Sequence, residues 1–327
     1  MAAVRVHLDD FLQREIDLGS FPGASYAAGT VSGGIVRAGA LGNAVAVPLR
    51  IPATADTIYD CASITKTLVT TVLVLQAVAE KTIALDDEYR GYTYRELLSL
   101  SSGLRAWLPL YALGDYLQAI EERGPEAPRG ARAEYSDLNF VLLYFALREI
   151  FGDYAGAARE RIFEPLGLRD ALFHPPASLL PRIAATEWGQ RFEAGMCATR
   201  SIPFHGFRQG LMWGEPNDGN SFHAGGTCGN AGLFATARDA FRIVQAFARG
   251  ELVPRALVRE ATRPHHGDRG LGWQISDLGY GHNGFTGTSV WVRDDQMSVL
   301  LTNRIHPCAA PIAMKRIREE FHQMARV

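Results

Sequence analysis

In the stretch at residues 61–79, CASITKTLVTTVLVLQAVA, a single charge stands among apolar residues and threonines: Lys66, three places after Ser63. Residues i and i+3 share one face of a helix, so a helix beginning at or just before Ser63 brings the hydroxyl and the amine together in its first turn. That pair is a nucleophile beside a base. A serine hydroxyl stays inert until a neighbour takes its proton, and an amine does so only where burial or nearby positive charge has lowered its pKa. The apolar helix would supply the burial, so the sequence predicts a depressed Lys66 pKa. The helix start would add N–H groups that favour negative charge at the serine and on a substrate oxygen. A surface helix with a snorkelling lysine would show the same spacing, so further residues are needed.

Two other stretches supply candidates. In GARAEYSDLNFVLLYFALREI, Tyr135 ends a Gly/Pro-rich loop directly before an apolar helix that Ser136 or Asp137 would cap. Its hydroxyl could reach a pocket, or the ring could be an aromatic at the edge of the core. In GYGHNGFTGTSVWV, glycines at 281, 284 and 287 beside a strand-forming run predict an edge strand that a substrate backbone can approach closely. His282 in that stretch either faces the pocket or is a satisfied core histidine.

These segments need elements to hold them. The N-terminal MAAVRVHLDDFLQREIDL reads as an amphipathic helix, and FPGASYAAGTVSGGIVRAGALGNA as a hairpin of antiparallel strands. Helical patterns follow at 63–80, 93–101, 137–150, 155–163 and 236–249, joined by Pro/Gly-rich loops. Strands return near residue 270, with Asp294-Asp295 as a turn, and the chain ends in a helix. The expected fold is α/β (α+β): an antiparallel sheet flanked by N- and C-terminal helices, with an inserted, mostly helical lobe. Residues 1–62 and 268–327 would form the sheet domain and residues 63–267 the lobe, with the active site between them.

Composition narrows the function. The 327 residues are 47% hydrophobic, enough for a substantial core, and 33 Lys plus Arg stand against 35 Asp plus Glu with no block of one sign. That leaves a small-molecule or peptide substrate rather than nucleic acid or a membrane. Cys61, Cys197, Cys228 and Cys308 have no metal-ligand spacing, which reads as free thiols in a reducing compartment, and the N-terminus has no apolar signal region. The expectation is a cytoplasmic protein without cofactor or metal. No GxSxG elbow, GxxxxGK[ST] loop or HExxH motif appears.

Taken together, the motifs resemble the serine β-lactamase and penicillin-binding-protein superfamily, in particular the class C β-lactamase-like branch that includes family VIII esterases. SITK is similar to S-x-x-K, YSD to Y-x-N in its esterase-like form, and HNG stands where lactamases carry K-T-G and many relatives H-x-G. FPGAS, GNAGLFATARDAFRIV, GLGWQI and LLTNRIHP are further likenesses, and the resemblance spans residues 21 to about 310. It implies Ser63 as acylated nucleophile, Lys66 as its base and Tyr135 as partner in proton transfer to the leaving group. It also implies an oxyanion hole from the backbone N–H groups of Ser63 and Phe285, and substrate contacts from Asp137, His282, Asn283 and Gly284.

The departures shape the expected activity. Asp137 in place of asparagine removes an amide donor for a β-lactam side chain. His282 and Asn283 in place of Lys and Thr remove a fixed cation for a substrate carboxylate, since a free histidine, with a pKa of about 6.5, is mostly neutral at pH 7. The reading is a serine hydrolase of small esters or amides. Its alternatives are a true β-lactamase or D-amino-acid peptidase, and a non-catalytic ligand-binding homologue.

Overall fold

The computed structural model describes residues 7–308 and 314–326. Seven antiparallel strands build its sheet: β1 Gly23–Thr30, β2 Gly34–Val45, β3 Ile51–Pro52, β4 Gln274–Ser276, β5 Gly279–Asn283, β6 Ser289–Arg293 and β7 Gln296–Thr302. Their order is β3-β2-β1-β7-β6-β5-β4, so β1 and β7, from opposite ends of the sequence, pair at the centre with Ala24 opposite Thr302. The turn between β6 and β7 falls at Asp294-Asp295 as the sequence predicts, with Asp294 at φ 55°.

Side-chain alternation sends the central strands to two cores. Ala24, Tyr26, Ala28 and Leu300 face a cluster with α1 (Leu8–Asp17) and the last helix, through Phe11, Leu12, Ile317 and Phe321. Ala27, Val299 and Leu301 join the larger core on the other face. The two terminal helices are pinned together by an ion pair: Glu15, 1% exposed, takes two hydrogen bonds from Arg316 at 2.8 and 2.9 Å and one from Ser20.

Under the other face lie α2 (Thr71–Ala79) and α3 (Asp137–Phe151), both apolar nearly all round, as helices enclosed by protein must be. A short helix at Arg191–Thr199 and the residues Asn217 and Asp218 that lead into another at Gly219–His223 border the cleft. Ala237–Arg249, here α4, comes from the middle of the chain yet packs on β1, β2 and β7; Thr236 caps its start and Gly250, at φ 77°, ends it. The last helix, α5, runs over Met314–Met324.

Two expectations are corrected. The helix predicted from residue 63 starts at Ile64, and its stretch Lys66–Thr70 is a widened π turn in which Thr71 N–H bonds to Lys66 O. Three hydroxyls brace it: Thr67 to Gly272 O, Thr70 to Gly229 O and Thr71 to Lys66 O. The strand carrying HNG is not the edge, because β4 pairs outside it. β4 reaches only as far as Gly281, leaving His282 and Asn283 uncovered on that side.

Candidate active site

Ser63 sits where a short strand, Tyr59–Asp60, turns into the central helix, and the turn is locally strained. Ala62 adopts φ 47°, a left-handed conformation that costs a non-glycine residue about 1 kcal/mol or more. Asp60 offsets that by accepting the Ala62 N–H at 2.8 Å with one oxygen and the Asn217 N–H at 2.8 Å with the other. The loop after β5 is stitched to the same turn, by Thr286 Oγ1 to Asp60 O and Thr288 Oγ1 to Cys61 O, each at 2.9 Å. Gly284 has to be glycine here: a Cβ would strike Thr288 Oγ1 and come within 2.8 Å of Cys61 O.

Burial, opposed by its two backbone N–H partners, pushes the Asp60 carboxyl up to about 6. Between about pH 4 and 6 the folded chain therefore holds a proton the unfolded chain has released, and this advantage is lost as pH rises through about 6. In urea unfolding, the wild type should lose roughly 2–3 kcal/mol more than Asp60→Asn between pH 4 and 7. Parallel pH curves for the two proteins would remove Asp60 as the cause.

Around the nucleophile the distances are those of hydrogen bonds. Lys66 Nζ lies 2.9 Å from Ser63 Oγ, and Tyr135 Oη donates to the same Oγ at 2.8 Å. Lys66 also donates to Asn230 O at 2.9 Å, and its Nζ stands 2.7 Å from Asp137 Oδ1. The rings of Tyr135 and Phe140 flank the ammonium at 5.3 and 5.7 Å. Lys66 is fully buried. Among the described residues, neither the Ser63 nor the Phe285 backbone N–H is used in a hydrogen bond.

The expectation of a depressed Lys66 pKa is overturned. Burial does pull it down, but the Asp137 carboxylate and Tyr135 outweigh burial and carry it above the ordinary lysine value. Asp137, expected to meet the substrate, borders the cleft and also holds the lysine. Tyr135 is likewise raised, by burial and then by Asp137, so its phenol is protonated at neutral pH.

His282 is also placed differently from the expectation. It is 4% exposed, its Nδ1 faces Asn283 O at 2.9 Å, its ring lies 6.1 Å from that of Tyr135, and it does not line the cleft. Burial, then the charges of Lys66 and Arg269, holds it down to about 3, so it is neutral. Asn283, Gly284 and Phe285 do line the cleft.

That cleft is a cavity of about 580 Å³ with Ser63 in its wall. Trp107, Phe192, Met196 and Phe285 form apolar surface, the Phe192 and Phe285 rings 4.6 Å apart. Asp218 and Glu193 line another part; burial and then the Asp218 charge raise Glu193 to about 7. Arg304 and Arg318 supply cations the sequence reading missed. Arg318 donates to Gly284 O at 2.6 Å and Arg304 to Phe285 O at 2.8 Å, while Arg318 Nε is buried without a partner. Burial, then Arg304, brings Arg318 down to about 10. One signal for Arg318 was available: it adjoins the apolar stripe Met314, Ile317, Phe321 of α5, where a solvated arginine would not be expected.

Among the described residues no cluster of His, Cys, Asp and Glu is placed to hold a metal ion, and no helix is long and apolar enough to cross a membrane. The four cysteines are free.

Known proteins share both sequence and fold with this chain. An Escherichia coli K12 protein carrying the provisional name D-alanyl-D-alanine carboxypeptidase is 28% identical over 319 residues, covering 80% of this chain and 72% of its own. Simvastatin synthase from Aspergillus terreus superposes with a TM-score of 0.71 at 17% identity, over 97% of this chain and 96% of that one. The D-amino acid amidase of Ochrobactrum anthropi SV3 does so at 0.67 and 20%, over 90% of each chain. The beta-lactamase family profile matches residues 8–317, which takes in the sheet, the central helix and the nucleophile with its partners; the chain belongs to the beta-lactamase family.

Proposed function

We propose that this serine hydrolase of the beta-lactamase family works through an acyl-enzyme on Ser63 and acts on small esters or amides. The observation that carries the reading is the convergence of Lys66 Nζ and Tyr135 Oη on Ser63 Oγ, at 2.9 and 2.8 Å, in the wall of an open cavity. Attack of Oγ on an acyl carbon would place the developing oxyanion at the unused N–H groups of Ser63 and Phe285, where fixed dipoles stabilise it. Tyr135 is positioned to protonate the leaving group, and water then completes turnover along the same path. A binding protein would have no use for the whole proton-transfer set.

The test is intact-protein mass spectrometry after incubation with a fluorophosphonate. The expected result is a stoichiometric adduct mapping to Ser63, and a chain that never gains the mass is not an acyl-enzyme hydrolase.

A second reading, β-lactam or D-amino-acid peptide hydrolysis, has its own support. Arg304 and Arg318 border the cleft without a carboxylate partner among the described residues, and such guanidiniums suit a substrate carboxylate. The names of the E. coli and Ochrobactrum relatives point the same way. Against it stands Asp137, a carboxylate where a β-lactam side chain needs an amide donor. The ester reading expects p-nitrophenyl acyl esters to turn over faster than nitrocefin, and the reverse order would favour the second.

A further inference from the structure

We propose that Asp137 is the terminal proton acceptor when Ser63 is acylated, with Lys66 working as an ammonium that passes protons on rather than as a free amine. This rests on the acyl-enzyme reading above.

Lys66 Nζ is surrounded by three oxygens: Ser63 Oγ and Asn230 O at 2.9 Å and Asp137 Oδ1 at 2.7 Å. Two of its N–H groups donate to Ser63 Oγ and Asn230 O, and Asp137 Oδ1 meets the ammonium as an ion pair at 2.7 Å, off the hydrogen-bond direction and with no other partner. A neutral amine in the same place would leave a carboxylate beside a fully buried side chain without its counter-ion, a costly arrangement. The resting lysine is therefore protonated, and a protonated base cannot take the serine proton unless it releases one at the same moment. Of its three neighbours only Asp137 can receive that proton. Asn230 offers a backbone carbonyl, and Ser63 is the donor. Tyr135 is already a phenol whose O–H points at Oγ.

The step balances. One Lys66 N–H bond breaks and its proton moves to Asp137 Oδ1 as the nitrogen turns its freed lone pair to Ser63; the Ser63 O–H bond breaks and that proton forms a new N–H bond on Lys66. The freed Oγ electron pair forms the bond to the acyl carbon, and the carbonyl π pair moves to the oxygen. Lys66 remains an ammonium and Asp137 becomes a carboxylic acid. When the tetrahedral species collapses, the bond to the leaving group breaks and that group takes its proton from Tyr135. The phenol is replenished through Ser63's neighbour Lys66, and Asp137 returns to a carboxylate. The other titratable or charged groups packed around the pair are Asp218, raised by burial and then by Asp137, Cys228, His282, and Arg269 over the Tyr135 ring.

The test is the acylation burst with a p-nitrophenyl ester in the wild type and in Asp137→Asn. The wild type should acylate at a constant rate from pH 7 to 9. With Asp137 gone, burial acts on Lys66 without its counter-ion and the lysine becomes a free-amine base, so acylation by the variant in mixtures of light and heavy water should plot as a straight line, from one proton in flight. A plot as bowed in Asp137→Asn as in the wild type overturns the proposal. A measurement on the wild type alone is independent of how the variant folds: acylation in mixtures of light and heavy water should give a bowed plot, from two protons in flight. A straight line in the wild type also overturns the relay. If the wild type takes up no fluorophosphonate, the acyl-enzyme reading itself fails. Uptake at Ser63 together with a straight line removes only the role of Asp137.

Discussion

Ser63→Ala should abolish turnover of p-nitrophenyl acyl esters, with kcat/KM falling by roughly 10⁴-fold or more. Among the described residues lining the cleft, Ser63 is the serine with a lysine and a tyrosine in hydrogen-bond reach. The variant keeps Asp60, the unused N–H groups and the cavity, so substrate should still bind, and the loss should appear in kcat far more than in KM. Removing one hydroxyl leaves Lys66 its two other acceptors, Asn230 O and Asp137, so the melting temperature should move little. A Ser63→Ala protein with wild-type turnover would mean that the nucleophile lies elsewhere. The same variant should also fail to take up a fluorophosphonate, which ties the kinetic loss to the adduct.

Lys66→Arg should lower kcat/KM by about 10³-fold although charge is conserved. A guanidinium can still pair with Asp137, but it does not release a proton, so it can be neither base nor relay. Lys66→Met removes the charge instead and leaves Asp137 without a counter-ion at a side chain only 16% exposed, which should cost on the order of 3 kcal/mol of stability. Adding Asp137→Asn to Lys66→Met should recover most of that loss, since the two residues are one interaction. The sign of the pH dependence follows from the raised lysine. A raised ammonium contributes its full stability below the unfolded value of about 10.4 and loses it only as pH climbs through the higher folded one. The stability difference between wild type and Lys66→Met should therefore be level from pH 6 to 9. A difference that shrinks steadily over that range would mean that the resting lysine is neutral.

Part of this site is legible in the amino-acid sequence alone. Ser63 and Lys66 are brought together by local helical geometry, which depends only on their spacing of three. The strands at both ends of the chain follow from short strand-forming runs punctuated by Gly-Gly, Gly-Asn and Asp-Asp turns, and Tyr135 from its place between a loop and an apolar helix. The rest depends on distance in space. Asp137 meets Lys66 across 71 positions of sequence, and its residue type alone suggests a lost substrate contact rather than an ion pair. His282 reads as a substrate contact from its place in HNG, but it is buried outside the cleft lining, and burial with two nearby positive charges keeps it neutral. Of the cations that do border the cleft, Arg304 and Arg318 come from just past a strand end and from a helix with no motif of their own. A strand at GLGWQIS is legible, but its place at the edge, outside the strand that carries HNG, is not, because pairing order is set by contacts in space.

The widened turn at Lys66–Thr70 gives this part of the chain some tolerance in length. A π turn carries one residue more than a regular helical turn, so deleting any one residue there would let the helix close normally. The segment that follows would keep its phase relative to Ser63, because the widened turn spans with one residue more the rotation that a regular turn spans. Val72, Leu73, Val74 and Leu75 would stay in their places, and the loss would fall on the contacts of the residue removed, such as those of Thr70 with Gly229 and Tyr154. In the regular helix beyond it, by contrast, a one-residue deletion would turn everything that follows by about 100°. The widened turn is thus the slack in this helix, the one stretch whose length can change by a residue while the core stays aligned with the nucleophile.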